Sequence, residues 1–260
     1  MRQARNLLAA LLLGACLQPT AAHATPSVEL RATLAPERLG RATTVGFGFQ
    51  IAGPNGQAPP PLTAVDVRYP GNLGIALSDL GLATCSPVTI ETLGVKACPA
   101  NSLMGFGTAI AAIPVGPATN REAASVTLVR APSQAGHLAL MFYAEAIAPV
   151  SAQIVFPGLL LPTPAPFGGR INIDVPLVPS LPGAPYVAVT KLHATLGPEH
   201  ITYYEHVHGK IVAYNPRGIL LPNSCPRGGF PFAATFGFQD GSRANAHTIV
   251  PCPRGKNDRR

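Results

Sequence analysis

The sequence predicts an all-β fold: a two-sheet antiparallel sandwich, immunoglobulin-like or jelly-roll-like, with one short helix inside a disulfide loop. Three observations predict it. Apolar and polar residues alternate in short stretches along most of the chain, which is the period of a half-buried strand. Those stretches are punctuated by 26 glycines and 29 prolines. The segment from Cys225 to Cys252 reads as an aromatic hairpin held at its base by a disulfide. Only 12% of the residues are charged, roughly half the usual share, yet the strong apolar alternation is foreign to disordered tracts. Residues 25–252 are therefore read as a single β-sandwich domain, with two β-subdomains split near 165 as the alternative.

Residues 1–24 carry Arg2 and Arg5, an apolar stretch from Leu7 to Leu17, and Ala22-His23-Ala24, the pattern of a secretory signal with a small-x-small cleavage site. Leu12-Leu13-Gly14-Ala15-Cys16 also fits a bacterial lipobox, in which Cys16 would be lipidated. The chain is thus expected to be secreted or at the bacterial cell surface, with a lipid anchor at Cys16 as the alternative. No transmembrane span is expected. The apolar run from Leu138 to Leu161 is interrupted by Glu145, Pro149 and Pro157, whereas a spanning helix needs ~20 mostly apolar residues.

The first strand follows from Val28, Leu30, Ala32 and Leu34 on one face against Glu29, Arg31 and Thr33 on the other. Val45, Phe47, Phe49 and Ile51 form a second row, and Val65, Val67 and Tyr69 a third. Ser86 caps a short helix over residues 87–93, with Pro87 at its first position. Further strands are expected near 103–112, 124–130, 138–146, 170–175, 186–196 and 201–214. The proline-dense stretch between Pro149 and Pro185 is expected to be an extended crossover lying over the sandwich, because proline is excluded from central strands.

Phe230, Phe232, Ala234, Phe236 and Phe238 then place four rings on one strand face. A two-residue Asp240-Gly241 loop would set Ala234 opposite His247 and leave the buried face half polar. A three-residue loop with a bulge places Phe236 opposite Ala244, Ala234 opposite Ala246, Phe232 opposite Thr248 and Phe230 opposite Val250. This second register is the expectation, with Gly241 left-handed and Gly228-Gly229 bowing outward so that the sulfurs meet. Residues 253–260 are expected to be a basic disordered tail. Arg254, Lys256, Arg259 and Arg260 lie there and supply much of the net charge of +7. No basic stripe interleaved with aromatics argues for nucleic acid.

Beyond Cys16, the cysteines are Cys85, Cys98, Cys225 and Cys252, an even number suited to disulfides in an exported chain. Three pairings are open, and the local one, Cys85 with Cys98 and Cys225 with Cys252, is favoured. Several pieces also resemble one group of proteins. They are Thr84-Cys85, the run Ala97-Cys98-Pro99-Ala-Asn-Ser102-Leu-Met-Gly105-Phe-Gly107, the run Pro179-Ser-Leu-Pro-Gly183 leading to Thr195-Leu-Gly197, and the Cys-Pro-x-Gly-Gly, Phe-x-Asp-Gly and Val-Pro-Cys elements of the hairpin. Together they are similar to uncharacterised secreted proteins of actinobacteria. The resemblance implies the same two local disulfides and an exported β-fold; it implies no activity, and no functional residue carries over.

Chemistry-bearing residues are sparse. His206 and His208, with His200, are expected on one face of a strand, and could hold zinc or copper if His193 or His247 supplied a third ligand. A solvated polar face explains them as well. Carboxylates for sugar hydrolysis would come from Asp66, Glu145, Asp174 and Glu205, but Asp66 beside Arg68 reads as a surface ion pair, and Asp174 shares its face with Arg170. No Gly-x-Ser-x-Gly elbow occurs. Gly105 and Gly107 run into a strand rather than a helix, so close strand packing explains them better than a phosphate cradle. No catalytic residue and no cofactor are assigned. The sequence favours a non-enzymatic binding or structural module, whose partner would be a cell-wall polymer, a lipid or a protein. An extracellular hydrolase or metal-binding protein using the histidines is one alternative, and a carrier of an apolar ligand is another.

Overall fold

The computed structural model describes residues 25–75, 78–116, 118–148 and 151–253. Residues 1–24, where the signal and Cys16 were expected, and residues 254–260 lie outside the described residues. No helix among the described residues is long and apolar enough to cross a membrane.

Among the described residues fourteen strands form, in the order β1 (Ser27–Ala35), β2 (Ala42–Ala52), β3 (Leu62–Pro70), β4 (Leu103–Val115), β5 (Ala118–Gln134), β6 (His137–Ala146), β7 (Ala152–Leu161), β8 (Phe167–Asp174), β9 (Ala188–Leu196), β10 (Tyr203–Val207), β11 (Lys210–Tyr214), β12 (Ile219–Leu220), β13 (Phe230–Phe238) and β14 (Arg243–Val250). Their pairing departs from two facing sheets. Twelve strands share one antiparallel sheet along the path β1-β2-β9-β4-β5-β6-β7-β8-β3-β13-β14, with β12 added to β2, while β10 and β11 pair separately. The large sheet curls until β1 packs beside β14, nearly closing a barrel. The middle is a meander, β4 to β8. The non-local insertions of β9 between β2 and β4, and of β3 between β8 and β13, splice the two terminal hairpins onto it.

The C-terminal hairpin has the register its hydrophobic pattern dictates. Phe230 lies opposite Val250, Phe232 opposite Thr248, Ala234 opposite Ala246 and Phe236 opposite Ala244. All five inward residues of β13 are buried, and Phe49 meets Phe236 edge-on at 5.0 Å between ring centroids. A slip of one residue would have put Arg243 and His247 in their place. Gly241 carries φ +81°, and Gly228 and Gly229 carry +85° and +101°, turns that side-chain-bearing residues rarely adopt. They bring Cys225 and Cys252 to a Cα separation of 5.9 Å, within disulfide range.

The helix α1 (Pro87–Leu93) also starts where its cap places it: the Thr89 amide donates to Ser86 Oγ at 3.0 Å. Together with the Cys85–Cys98 disulfide it sits on the outer face of the barrel. There Ile90 packs on Val129 and Ala131 of β5 and on Ala139, Met141 and Tyr143 of β6. This explains why β6 is apolar on both faces: Leu140 and Phe142 point into the barrel core while Met141 and Tyr143 lie under the helix.

Two expectations are overturned. The proline-rich stretch is not a crossover over a sandwich; it contains β7 and extends β8, both within the sheet. Pro157 is tolerated because β8 pairs with β7 only over Gly158–Leu161, so Pro157 stands where that side of β7 becomes an edge. Residues 201–214 are not one strand but the hairpin β10–β11, because His208 and Gly209 take φ +49° and +77° and reverse the chain. The glycines of β4 do serve close packing. A Cβ on Gly107 would come within 2.9 Å of the Ala194 Cα in β9, so only a bare backbone fits there.

Candidate functional site: an apolar cavity in the barrel

Barrels of about eight strands enclose just enough room for their own side chains, and the path here is longer, so the interior must be filled by bulk or left partly open. The two sides of the barrel do this differently. Phe47, Phe49, Phe232 and Phe236, with Val65 and Val67, fill the side formed by β2, β3 and β13. Across the meander, strand registers bring small residues into one row instead: Ala109 of β4 lies opposite Ala124 of β5, Ala124 opposite Ala146 of β6, and Ala146 opposite Ala152 of β7. All four alanines face the interior. Beneath this belt lies a cavity of about 230 Å³.

Its walls are almost wholly apolar. One end is plugged by the turn after β3, where Ile75 and Leu80 are buried, and is lined by Leu73, Leu128, Leu196 and Ile219. The other end is bounded by Ile113, Ala111, Val187 and the proline-rich strap through Pro176, Val178 and Pro179. The polar-bearing lining residues are Tyr69, Glu122 and Thr195. The Thr195 hydroxyl donates to the Phe106 carbonyl at 3.2 Å, and burial raises the pKa of Tyr69 above its ordinary value. Glu122 is only 5% exposed and is the one carboxylate among the described lining residues.

The residues singled out from sequence lie elsewhere. His200 is in the turn before β10 with φ +60°, not on the strand as expected; His206 is on β10, and His208 is in the turn that follows. All three are exposed. Among the described residues, no group of three or more His, Cys, Asp or Glu side chains stands close enough to hold a metal, so His193 and His247 bring no third ligand. The hairpin's buried end is Tyr203: its hydroxyl donates to the Leu103 carbonyl and accepts from the Gly81 amide at 2.7 Å, while Val207 and Ile211 are exposed. Asp66 pairs with Arg170 at 3.4 Å rather than with Arg68, whose guanidinium reaches Thr235 and lies over the Phe167 ring. Glu145 accepts from Gln153 on the neighbouring strand, Asp174 ends β8, and Glu205 stands on the separate hairpin, so these carboxylates are scattered over the fold. The four described cysteines form Cys85–Cys98 and Cys225–Cys252.

Sequence reasoning did not single out the cavity or Glu122. The signal was present in the alternation of small residues at Ala109, Ala111, Ala124, Ala144, Ala146 and Ala152, but only the registers of four strands make one surface of them. Comparison with protein-family models, with curated proteins and with solved structures finds no match for the chain.

Proposed function

We propose that this protein is an exported, non-enzymatic binding module that carries a small apolar molecule inside its barrel. The observation that carries the reading is the cavity itself. At ~24 cal/mol per Å³ of void, an unfilled space of about 230 Å³ forgoes about 5.5 kcal/mol. That is a large part of the 5–15 kcal/mol that holds a typical domain together. An occupant that fills the space recovers part of this energy as binding affinity, the rest going to the entropy of association. A cavity of ~150 Å³ takes the six carbons of benzene, so by proportion this one accommodates about nine non-hydrogen atoms. Export agrees with the two disulfides, which persist in oxidising compartments, and with the leader pattern of residues 1–24.

The test is thermal unfolding with and without saturating propylbenzene, a probe of the right size. A ligand that binds only the native state raises the melting temperature by mass action, and organic extraction of the protein purified from its own host should release a bound apolar compound. No rise at saturation, together with an empty extract, would overturn the proposal.

A further inference from the structure

We propose that the occupant is an amphiphile whose head donates a hydrogen bond, preferentially an amine, and that Glu122 is the residue that selects it. This rests on the cavity being a ligand site, as argued above. The cavity is polarised along its length. Its plugged end, with Leu73, Ile75 and Ile219, offers hydrocarbon apart from Tyr69 and Thr195, whose hydroxyl is given to the Phe106 carbonyl, whereas its strap end places a buried carboxylate among Ala111, Ile113, Val187 and Pro179. Glu122 is held there by register: it lies directly opposite Ala111 on β4, and β6 pairs with β5 only from Ala124 onward, so Glu122 stands just past the end of that ladder, at the rim of the lining.

Keeping a carboxylate in such a lining is costly unless its oxygens are well hydrogen-bonded. Glu122 already has a partner within the protein, but a carboxylate offers about four acceptor positions, so its oxygens can also receive an N–H or O–H from a ligand. An ammonium head adds charge to that hydrogen bond in a site shielded from water, where such bonds are strongest. A carboxylate or phosphate head meets a like charge and is rejected. The apolar body then lies along the alanine belt towards Ile219, with its head at the strap.

Four probes of one size separate the possibilities: propylbenzene, 3-phenylpropan-1-ol, 3-phenylpropylamine and 3-phenylpropanoate. Each is titrated calorimetrically at pH 7 into the wild-type protein and into Glu122→Gln. The expected wild-type order is amine, then alcohol, then hydrocarbon, with the amine at least about tenfold tighter than the hydrocarbon and the acid weakest. In Glu122→Gln the amine's advantage over propylbenzene should shrink to roughly twofold. Equal affinity of all four probes in the wild type, or an acid preferred over the amine, overturns the role of Glu122 but leaves the cavity as a ligand site. Failure of every probe, propylbenzene included, overturns both. The wild-type order needs no variant, so the proposal stays testable even if Glu122→Gln folds poorly.

Discussion

Replacing Ala124 by leucine sets the cavity reading at risk most directly, because the sign of the effect depends on whether the space is there. Ala124 stands in the middle of the belt, with Ala109 on one side and Ala146 on the other. Leucine adds three carbons that would point into a void of about 230 Å³. At ~0.8 kcal/mol per buried methylene, full burial stabilises the fold by about 2 kcal/mol. For a domain of this size that corresponds to a rise in melting temperature of roughly 4–8 °C. The same substitution in a filled core would force neighbours off their rotamers at a cost of about 1–3 kcal/mol. Calorimetric unfolding of both proteins, with disulfides intact and without ligand, reads the sign. The stabilisation produced by propylbenzene should shrink in Ala124→Leu, since side chain and ligand compete for one volume. A melting temperature that falls, with probe binding unchanged, would refute the argument that these four strands enclose usable space.

Phe236→Ala on the packed side should behave in the opposite way, losing about 3–5 kcal/mol in denaturant unfolding, because this ring is fully buried against Phe49 and Val65. Replacing both Cys225 and Cys252 by alanine should cost about 3.5 kcal/mol by chain-entropy arithmetic for a loop whose ends lie 27 residues apart, with urea midpoints as the measure. The smaller Cys85–Cys98 loop, 13 residues apart, should cost about 3 kcal/mol. Tyr203→Phe removes the hydroxyl shared by Gly81 and Leu103 and should cost about 1–3 kcal/mol at neutral pH. It should also change the alkaline limb of the stability curve. Burial raises the Tyr203 pKa above 10.0, so above about pH 10 the unfolded chain releases a proton that the fold retains, and stability falls as pH rises. Melting temperatures measured from pH 8 to pH 11 should decline less steeply in Tyr203→Phe, and identical slopes would contradict the assignment.

What could be read from the sequence was local. The β13–β14 register followed from the fact that only one alignment sets Ala244, Ala246 and Val250, rather than Arg243 and His247, beside the inward residues of β13, and the helix boundary followed from a serine followed by a proline. Both are settled within a few residues of chain. The proline-rich stretch misled because a proline's effect depends on which neighbours a strand has at that position, and Pro157 sits where β8 is absent. The strand expected over 201–214 misled because His208 adopts the left-handed turn conformation that its type favours only weakly, with Gly209 completing it. Closure of the sheet was beyond local reading altogether: it depends on β9 pairing with both β2 and β4, which lie far from it in the chain, and on β3 joining β8 to β13.

The cavity is a product of those same long-range registers. Each of Ala109, Ala124, Ala146 and Ala152 is unremarkable in its own strand, where alternation alone predicts an inward residue and says nothing of its size. Aligned, they withdraw side-chain volume from four adjacent strands at one height, while the phenylalanines of β2 and β13 supply volume on the opposite wall. A barrel that needed only stability would gain from larger residues along the belt, since every methylene added there is worth more than it costs until the void is filled. The arrangement is therefore expensive to the fold. That expense has a use if something other than side chains occupies the space, and the position of Glu122 at one end gives that occupant an orientation as well as a place.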